Sequence, residues 1–113
     1  SIKKNKNLFE KIEKQGFNII NVFHKSSIIS KNVIIKKGVK IFAGVKVNNK
    51  SYLGKNVFLN TGAIVEHDCF IGNSCHIAPG SILCGSVKVD SNVFLPAGSI
   101  IKQNTVINKE KNY

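Results

Sequence analysis

Residues 53–89 read LGKNVF, LNTGAI, VEHDCF, IGNSCH, IAPGSI, LCGSVK and V, and this six-residue spacing decides the fold. Each block opens on an aliphatic residue. Extended in both directions, the same column takes in Ile29, Ile35, Ile41, Val47, Leu53, Leu59, Val65, Ile71, Ile77, Leu83, Val89, Leu95, Ile101 and Ile107, with no step skipped and no insertion. Four residues after each comes a second column of small or β-branched residues, from Val33, Val39 and Val45 through Ala63, Cys69 and Cys75 to Thr105. A helix would repeat every 3.6 residues and a half-buried strand every two. Period six with two inward columns is the mark of a hexapeptide β-helix.

The hexad has a direct physical reading. With the aliphatic residue as position one, positions five, six and the next one form a short strand that alternates in, out, in. The aliphatic side chain fills the coil, and position five stays small because three strands converge on a narrow triangular core. Positions two to four make the turn. Gly38, Gly44, Gly62, Gly80 and Gly98 at position four, and Gly54 and Gly72 at position two, are expected to supply positive φ there. Three hexads make an 18-residue coil, and coils stack at about the inter-strand distance, ~4.8 Å. The run from 29 to 107 holds a little over four coils, so the fold class is all-β.

Composition bounds the rest. The 113 residues suit one domain, 42% hydrophobic, with no run apolar enough to span a membrane, and no signal peptide is expected. The expected location is cytoplasmic, with no membrane partner. Three cysteines, two of them in the inward column, read as reduced buried thiols rather than a disulfide framework, and no metal site is expected. The net charge of +11 comes from lysine alone. Base readout and bidentate phosphate recognition lean on arginine, so no nucleic-acid partner is expected.

Residues 1–16 predict a short amphipathic helix with Leu8, Phe9 and Ile12 on one side and Gly16 as its stop. The alternation of Phe17–Phe23 predicts a strand, and His24 reads as a linker residue. The expected division is therefore 1–27 for helix, strand and linker, 28–107 for the β-helix, and 108–113 for a polar tail. The outward position-six residues include Ile34, Tyr52 and Phe70 in one column, Phe58, His76 and Phe94 in another, and Ile64, Ile82 and Ile100 in the third. Apolar surface on all three faces predicts a homo-oligomer.

Polar chemistry concentrates around Asn60, then Glu66, His67 and Asp68, then His76. His67 falls at position three, on a turn, and points outward. A histidine flanked by carboxylates is a candidate general base, because one carboxylate can hold the imidazole tautomer and stabilise the imidazolium. The 18-residue coil puts Gly85 directly above His67, where a bare backbone N–H can approach an oxyanion. His76 reads either as an interface residue packed on aromatics or as a substrate contact.

The segment Asn60-Thr-Gly-Ala-Ile-Val-Glu-His67-Asp-Cys, with Ile-Gly-Asn-Ser-Cys-His76-Ile-Ala-Pro-Gly and Cys-Gly85-Ser-Val-Lys, resembles the hexapeptide-repeat sugar acetyltransferases, which include sialic acid O-acetyltransferases and nucleotide-4-amino-sugar N-acetyltransferases. The resemblance covers roughly residues 17–107. It implies a left-handed β-helix, a homotrimer with acetyl-CoA between neighbouring subunits, and direct acyl transfer to a small-molecule sugar. His67 would be the base and Asp68 its orienting acid. Asn60, Glu66, His76 and Gly85 would contact the substrates, with the Gly85 N–H facing the thioester carbonyl. Family members carry an N-terminal sugar-binding domain, of which residues 1–27 would be the last helix and strand. The expected activity is N-acetylation of a nucleotide-linked amino sugar. The alternatives are O-acetylation of sialic acid, a non-catalytic β-helix fragment, and a zinc enzyme of the γ-carbonic-anhydrase kind, whose three ligands would have to be His24, His67 and His76.

Overall fold

The computed structural model describes residues 1–109; the expected tail from 110 onward lies outside the described residues. Helix α1, Ile2–Lys14, starts where Ser1 caps it by accepting a hydrogen bond from the Lys4 amide at 3.2 Å, and Lys11 and Lys14 complement its C-terminal dipole. Gly16 follows at φ +80°, as the sequence reading placed it.

The remainder is a parallel β-solenoid. Fifteen two-residue strands, each made of a position-six and a position-one residue, form three five-stranded sheets. The first sheet holds Val22–Phe23, Lys40–Ile41, Phe58–Leu59, His76–Ile77 and Phe94–Leu95. The second runs from Ile28–Ile29 to Ile100–Ile101, and the third from Ile34–Ile35 to Val106–Ile107. Each strand pairs with the one 18 residues on, as in His76 with Phe94 and Leu83 with Ile101. The position-one side chains stack inside: Ile41, Leu53, Leu59, Ile71, Ile77, Leu83 and Leu95 are fully buried.

Two expectations are corrected. The strand foreseen over residues 17–23 is confined to Val22–Phe23, and it is the first rung of the solenoid, paired in parallel with Lys40–Ile41. Strands need partners, and residues 17–20 pair with no strand, although Ile19 lies beside the Gly38 turn. The solenoid therefore begins one hexad earlier than its aliphatic column suggested, because Phe23 occupies the first position-one site. The second correction concerns glycine. Position four is indeed left-handed from Gly38 onward, even where the residue is Lys50, Asn56, Asp68 or Ser86. Gly54 and Gly72 at position two are not in that region. They are glycines because the next coil lies against them: a Cβ on Gly72 would stand 2.7 Å from the Ser91 amide nitrogen, and one on Gly54 2.9 Å from that of Asn73.

The small inward column does more than save space. Ser51 Oγ donates to the Glu66 carbonyl at 2.8 Å, Cys69 Sγ to that of Cys84 at 3.2 Å, Cys75 Sγ to that of Asp90 at 2.9 Å, and Ser81 Oγ to that of Pro96 at 3.1 Å. Each of these four position-five donors thus satisfies a turn carbonyl fifteen residues ahead, whereas Ser99 Oγ turns back to that of Pro96. All three cysteines are free. Burial pushes the Cys75 thiol up to about 11 and raises that of Cys69, which keeps both protonated as donors.

Helix α1 lies along the corner between the third and first sheets. Glu13 reaches Lys37 at 2.8 Å and Lys55 at 3.3 Å, and Asn5 Oδ1 accepts from Asn56 Nδ2 at 2.7 Å. It leaves the three faces open, and Ile28, Ile34, Phe70, Phe94, Ile100 and Val106 are exposed.

The glycine reading has a measurable outcome. Gly62→Ala meets open space and bears only the left-handed strain, about 1–2 kcal/mol. Gly72→Ala drives a methyl into backbone and should cost more than Gly62→Ala, by about 1–3 kcal/mol, in denaturant unfolding.

Candidate active site

The turn between Ile64–Val65 and Phe70–Ile71 carries Glu66, His67 and Asp68 at positions two, three and four. Val65 is buried and anchors the entry to the turn, and Cys69 is buried and anchors the exit, so the three polar residues project outward. Asp68 sits in the left-handed region, φ 58°, with its amide donating to the Asn49 carbonyl at 2.9 Å. In that pose its Oδ2 stands 2.9 Å from His67 Nδ1. A carboxylate can only accept, so the proton belongs on Nδ1 and leaves Nε2 with its lone pair. That second nitrogen faces the next coil: a Cβ on Gly85 would be 2.5 Å from His67 Nε2 and 2.6 Å from Cε1. Position 85 must be glycine for the imidazole to lie where it does. The ring and its carboxylate are half exposed, 51% and 50%. The His67 carbonyl accepts from the Ser86 amide at 2.9 Å, which fixes the two turns in register.

Of the two flanking carboxylates, Asp68 holds the imidazole. Glu66 Oε2 is taken up by Asn48 Nδ2 at 3.1 Å, one coil below. The Gly85 amide donates no hydrogen bond among the described residues.

Asn60 and His76 form a second group. His76 projects from the first sheet, stacked on Phe58 at 4.5 Å between ring centres and edge-on to Phe94 at 5.2 Å. Asn60 lies on the turn that leaves that sheet, and its Nδ2 is 3.3 Å from His76 Nε2. The amide is the donor, so the His76 proton is on Nδ1. Burial lowers the His76 pKa, and Lys40 lowers it further. Within one chain this group and the His67 group occupy different corners, separated by the second sheet.

The hexads gave no sign of one further feature. A cavity of about 630 Å³ opens between the N-terminus of α1 and the His76 face, lined by Ile2, Asn5, Asn56, Phe58, His76 and Phe94 among others. Beside it Lys40 Nζ donates to Asn56 Oδ1 at 2.7 Å. It depends on where α1 docks, which no repeat encodes. His24, expected as a linker residue, is instead the position-two residue of the first coil: its amide donates to the Ile41 carbonyl at 2.8 Å and its Nδ1 accepts from the Ser26 amide at 3.0 Å. Among the described residues no three His, Cys, Asp or Glu side chains come together as a metal site.

A parallel solenoid of hexads matches the left-handed β-helix fold of solved hexapeptide-repeat acetyltransferases. No protein-family model matches the chain. It is 29% identical over 94 residues to GDP-perosamine N-acetyltransferase of Escherichia coli O157:H7, a span of 83% of this chain and 42% of that protein. Among solved structures it is similar to a histidine-to-asparagine mutant of perosamine N-acetyltransferase from Caulobacter crescentus, in complex with CoA and GDP-perosamine. The identity is 28% and the TM-score 0.83, over 95% of this chain and 60% of that one. The acetyltransferase domain of PglB from Neisseria gonorrhoeae is 26% identical, with a TM-score of 0.80 over 92% of this chain and 60% of that domain. The chain thus spans 42–60% of the length of these relatives. The similarity to sugar acetyltransferases read from residues 60–88 is borne out.

The lowered His76 pKa has a consequence for stability. Below the ordinary histidine value of 6.5 the unfolded chain takes up the proton before the folded one does. Stability is fully present above that value and falls as pH drops through it. Thermal melts across this range should show the decline, and His76→Phe, which keeps the aromatic stack, should flatten it.

Proposed function

We propose that this chain is the acyl-transfer portion of an acetyl-CoA-dependent sugar acetyltransferase that N-acetylates a nucleotide-linked amino sugar. The observation that carries the reading is the His67 arrangement: Nδ1 held by Asp68 at 2.9 Å and Nε2 directed at the coil that bears Gly85. The names of the relatives, which pair N-acetyltransferase activity with CoA and GDP-perosamine, support the substrate class. The catalytic pair is His67 and Asp68; Asn60, Glu66, His76 and Gly85 serve binding.

The mechanism follows from the groups in place. The acceptor amine attacks the acetyl carbonyl carbon of acetyl-CoA while His67 Nε2 takes the proton that the nitrogen sheds. Asp68 stabilises the imidazolium so formed. The carbonyl oxygen becomes an oxyanion, and the unpaired Gly85 N–H donates to it. Collapse breaks the carbon–sulfur bond, and the proton on His67 passes to the departing CoA sulfur. The products are the amide and CoA thiol, with no covalent enzyme intermediate. Asn60 and His76, on another corner, would complete the cleft from a neighbouring subunit of a homotrimer. The exposed Ile28, Phe70, Phe94 and Ile100 support such packing. Residues 1–21, with α1, would be the end of a sugar-binding domain, Val22–Phe23 being already the first rung of the solenoid, and the cytoplasm would supply the acetyl-CoA. No helix among the described residues is long and apolar enough to cross a membrane.

Calorimetry with acetyl-CoA should show binding by both the wild type and His67→Ala. With a nucleotide-linked 4-amino sugar, thiol release should fall about 10²–10⁴-fold in the variant. No binding by the wild type at millimolar acetyl-CoA would leave a β-helix scaffold without a complete site. Sedimentation should give a trimer, and a stable monomer at micromolar concentration would overturn the subunit arrangement.

A further inference from the structure

We propose that Cys69 is a positioning residue, whose thiol orients the Cys84–Gly85 peptide so that the Gly85 N–H faces outward beside the His67 ring. The inference rests on the reading of Gly85 as the oxyanion donor and adds the group that aims it. A trans peptide points its C=O and N–H in opposite directions, and no cis bond occurs among the described residues. Cys69 is 1% exposed, and its Sγ lies 3.2 Å from the Cys84 carbonyl oxygen. The carbonyl is therefore turned toward the interior, and the amide of the same peptide is turned to the surface.

This turn needs such a device. Between the first and second sheets, and one coil on at this same corner, the turn closes on itself: the Asn60 carbonyl accepts from the Ala63 amide at 3.1 Å, that of Ala78 from Ser81 at 3.3 Å, and that of Lys102 from Thr105 at 3.2 Å. The Cys84 carbonyl receives no such bond, and Cys69 is its donor. The peptide one coil below is held the same way. Ser51 Oγ donates to the Glu66 carbonyl at 2.8 Å and accepts from the Cys69 amide at 3.1 Å. A chain of interior donors thus fixes the peptides that precede His67 and Gly85. A donor on the carbonyl also polarises the amide across the peptide, which strengthens what its N–H can offer. The raised Cys69 pKa, caused first by burial, keeps the sulfur protonated in this role.

The fold contains its own control. Cys75 Sγ makes the same bond to the Asp90 carbonyl at 2.9 Å, on a corner without His67. Valine occupies the inward column at positions 39, 45, 57, 87 and 93, so it fits there without a donor. The experiment compares Cys69→Val, Cys69→Ser and Cys75→Val in the full chain. Cys69→Val should lower kcat about tenfold, a fraction of what losing an oxyanion donor costs, with KM values within about threefold. Cys69→Ser should restore most of kcat, and Cys75→Val should leave it unchanged. In ¹⁵N spectra the Gly85 amide should shift in Cys69→Val, return toward its place in Cys69→Ser, and stay put in Cys75→Val. A Gly85 resonance unmoved by Cys69→Val, or equal kcat losses in the two valine variants, would overturn the proposal. A wild type that binds acetyl-CoA but acetylates no amino sugar would defeat the functional reading instead, and the Gly85 resonance would still decide whether Cys69 aims that amide.

Discussion

Each residue in the solenoid packs against the residue 18 places away, and every other property of the molecule depends on that register. The strands are two residues long and would not pair in isolation. They persist because each position-one side chain rests on an identical position above and below, so burial is continuous along the axis. The constraint is severe inside and loose outside. Positions one and five must be apolar or self-satisfied, whereas positions two, three and four need only close a turn. Chemistry accumulates where the constraint is loosest. His67 and Asp68 stand on a turn whose two ends, Val65 and Cys69, are fixed in the core.

The site also uses the crowding between coils. Glycine at 54 and 72 lets one turn settle on the next. Glycine at 85 does the same for a side chain, admitting the His67 ring over its own Cα. The imidazole is therefore held from two sides, by a carboxylate in its own turn and by the backbone of the next. Such double restraint is what a base needs to keep one tautomer and one direction.

The solenoid was legible because its signal is purely periodic. The columns fixed the sheets, the register and the stacking of Gly85 over His67. Three things were not legible, each for a physical reason. Phe23 as a first rung was hidden because an aromatic breaks the aliphatic column and the preceding alternation mimics a strand. The role of Gly54 and Gly72 was misread because a glycine needed for space looks the same as one needed for φ. The spacing left Glu66 and Asp68 both beside His67, and only the resemblance pointed to Asp68; in the structure position four is left-handed and turns its carboxylate to the ring, while position two lies beside Asn48. The docking of α1 and the cavity beside His76 depend on contacts such as Asn5 with Asn56, which have no period at all.

The 18-residue register also sets a unit of length for change in this molecule. A whole coil can be added or removed beyond the site, and each remaining residue keeps its face and its neighbours. A single hexad inserted between His67 and Gly85 would leave both columns of the core intact and the chain foldable, yet it would turn everything after it by one face of the prism. Gly85 would then lie over a different corner, and another residue's Cβ would meet the imidazole. The fold reads length modulo six, and the site reads it modulo eighteen.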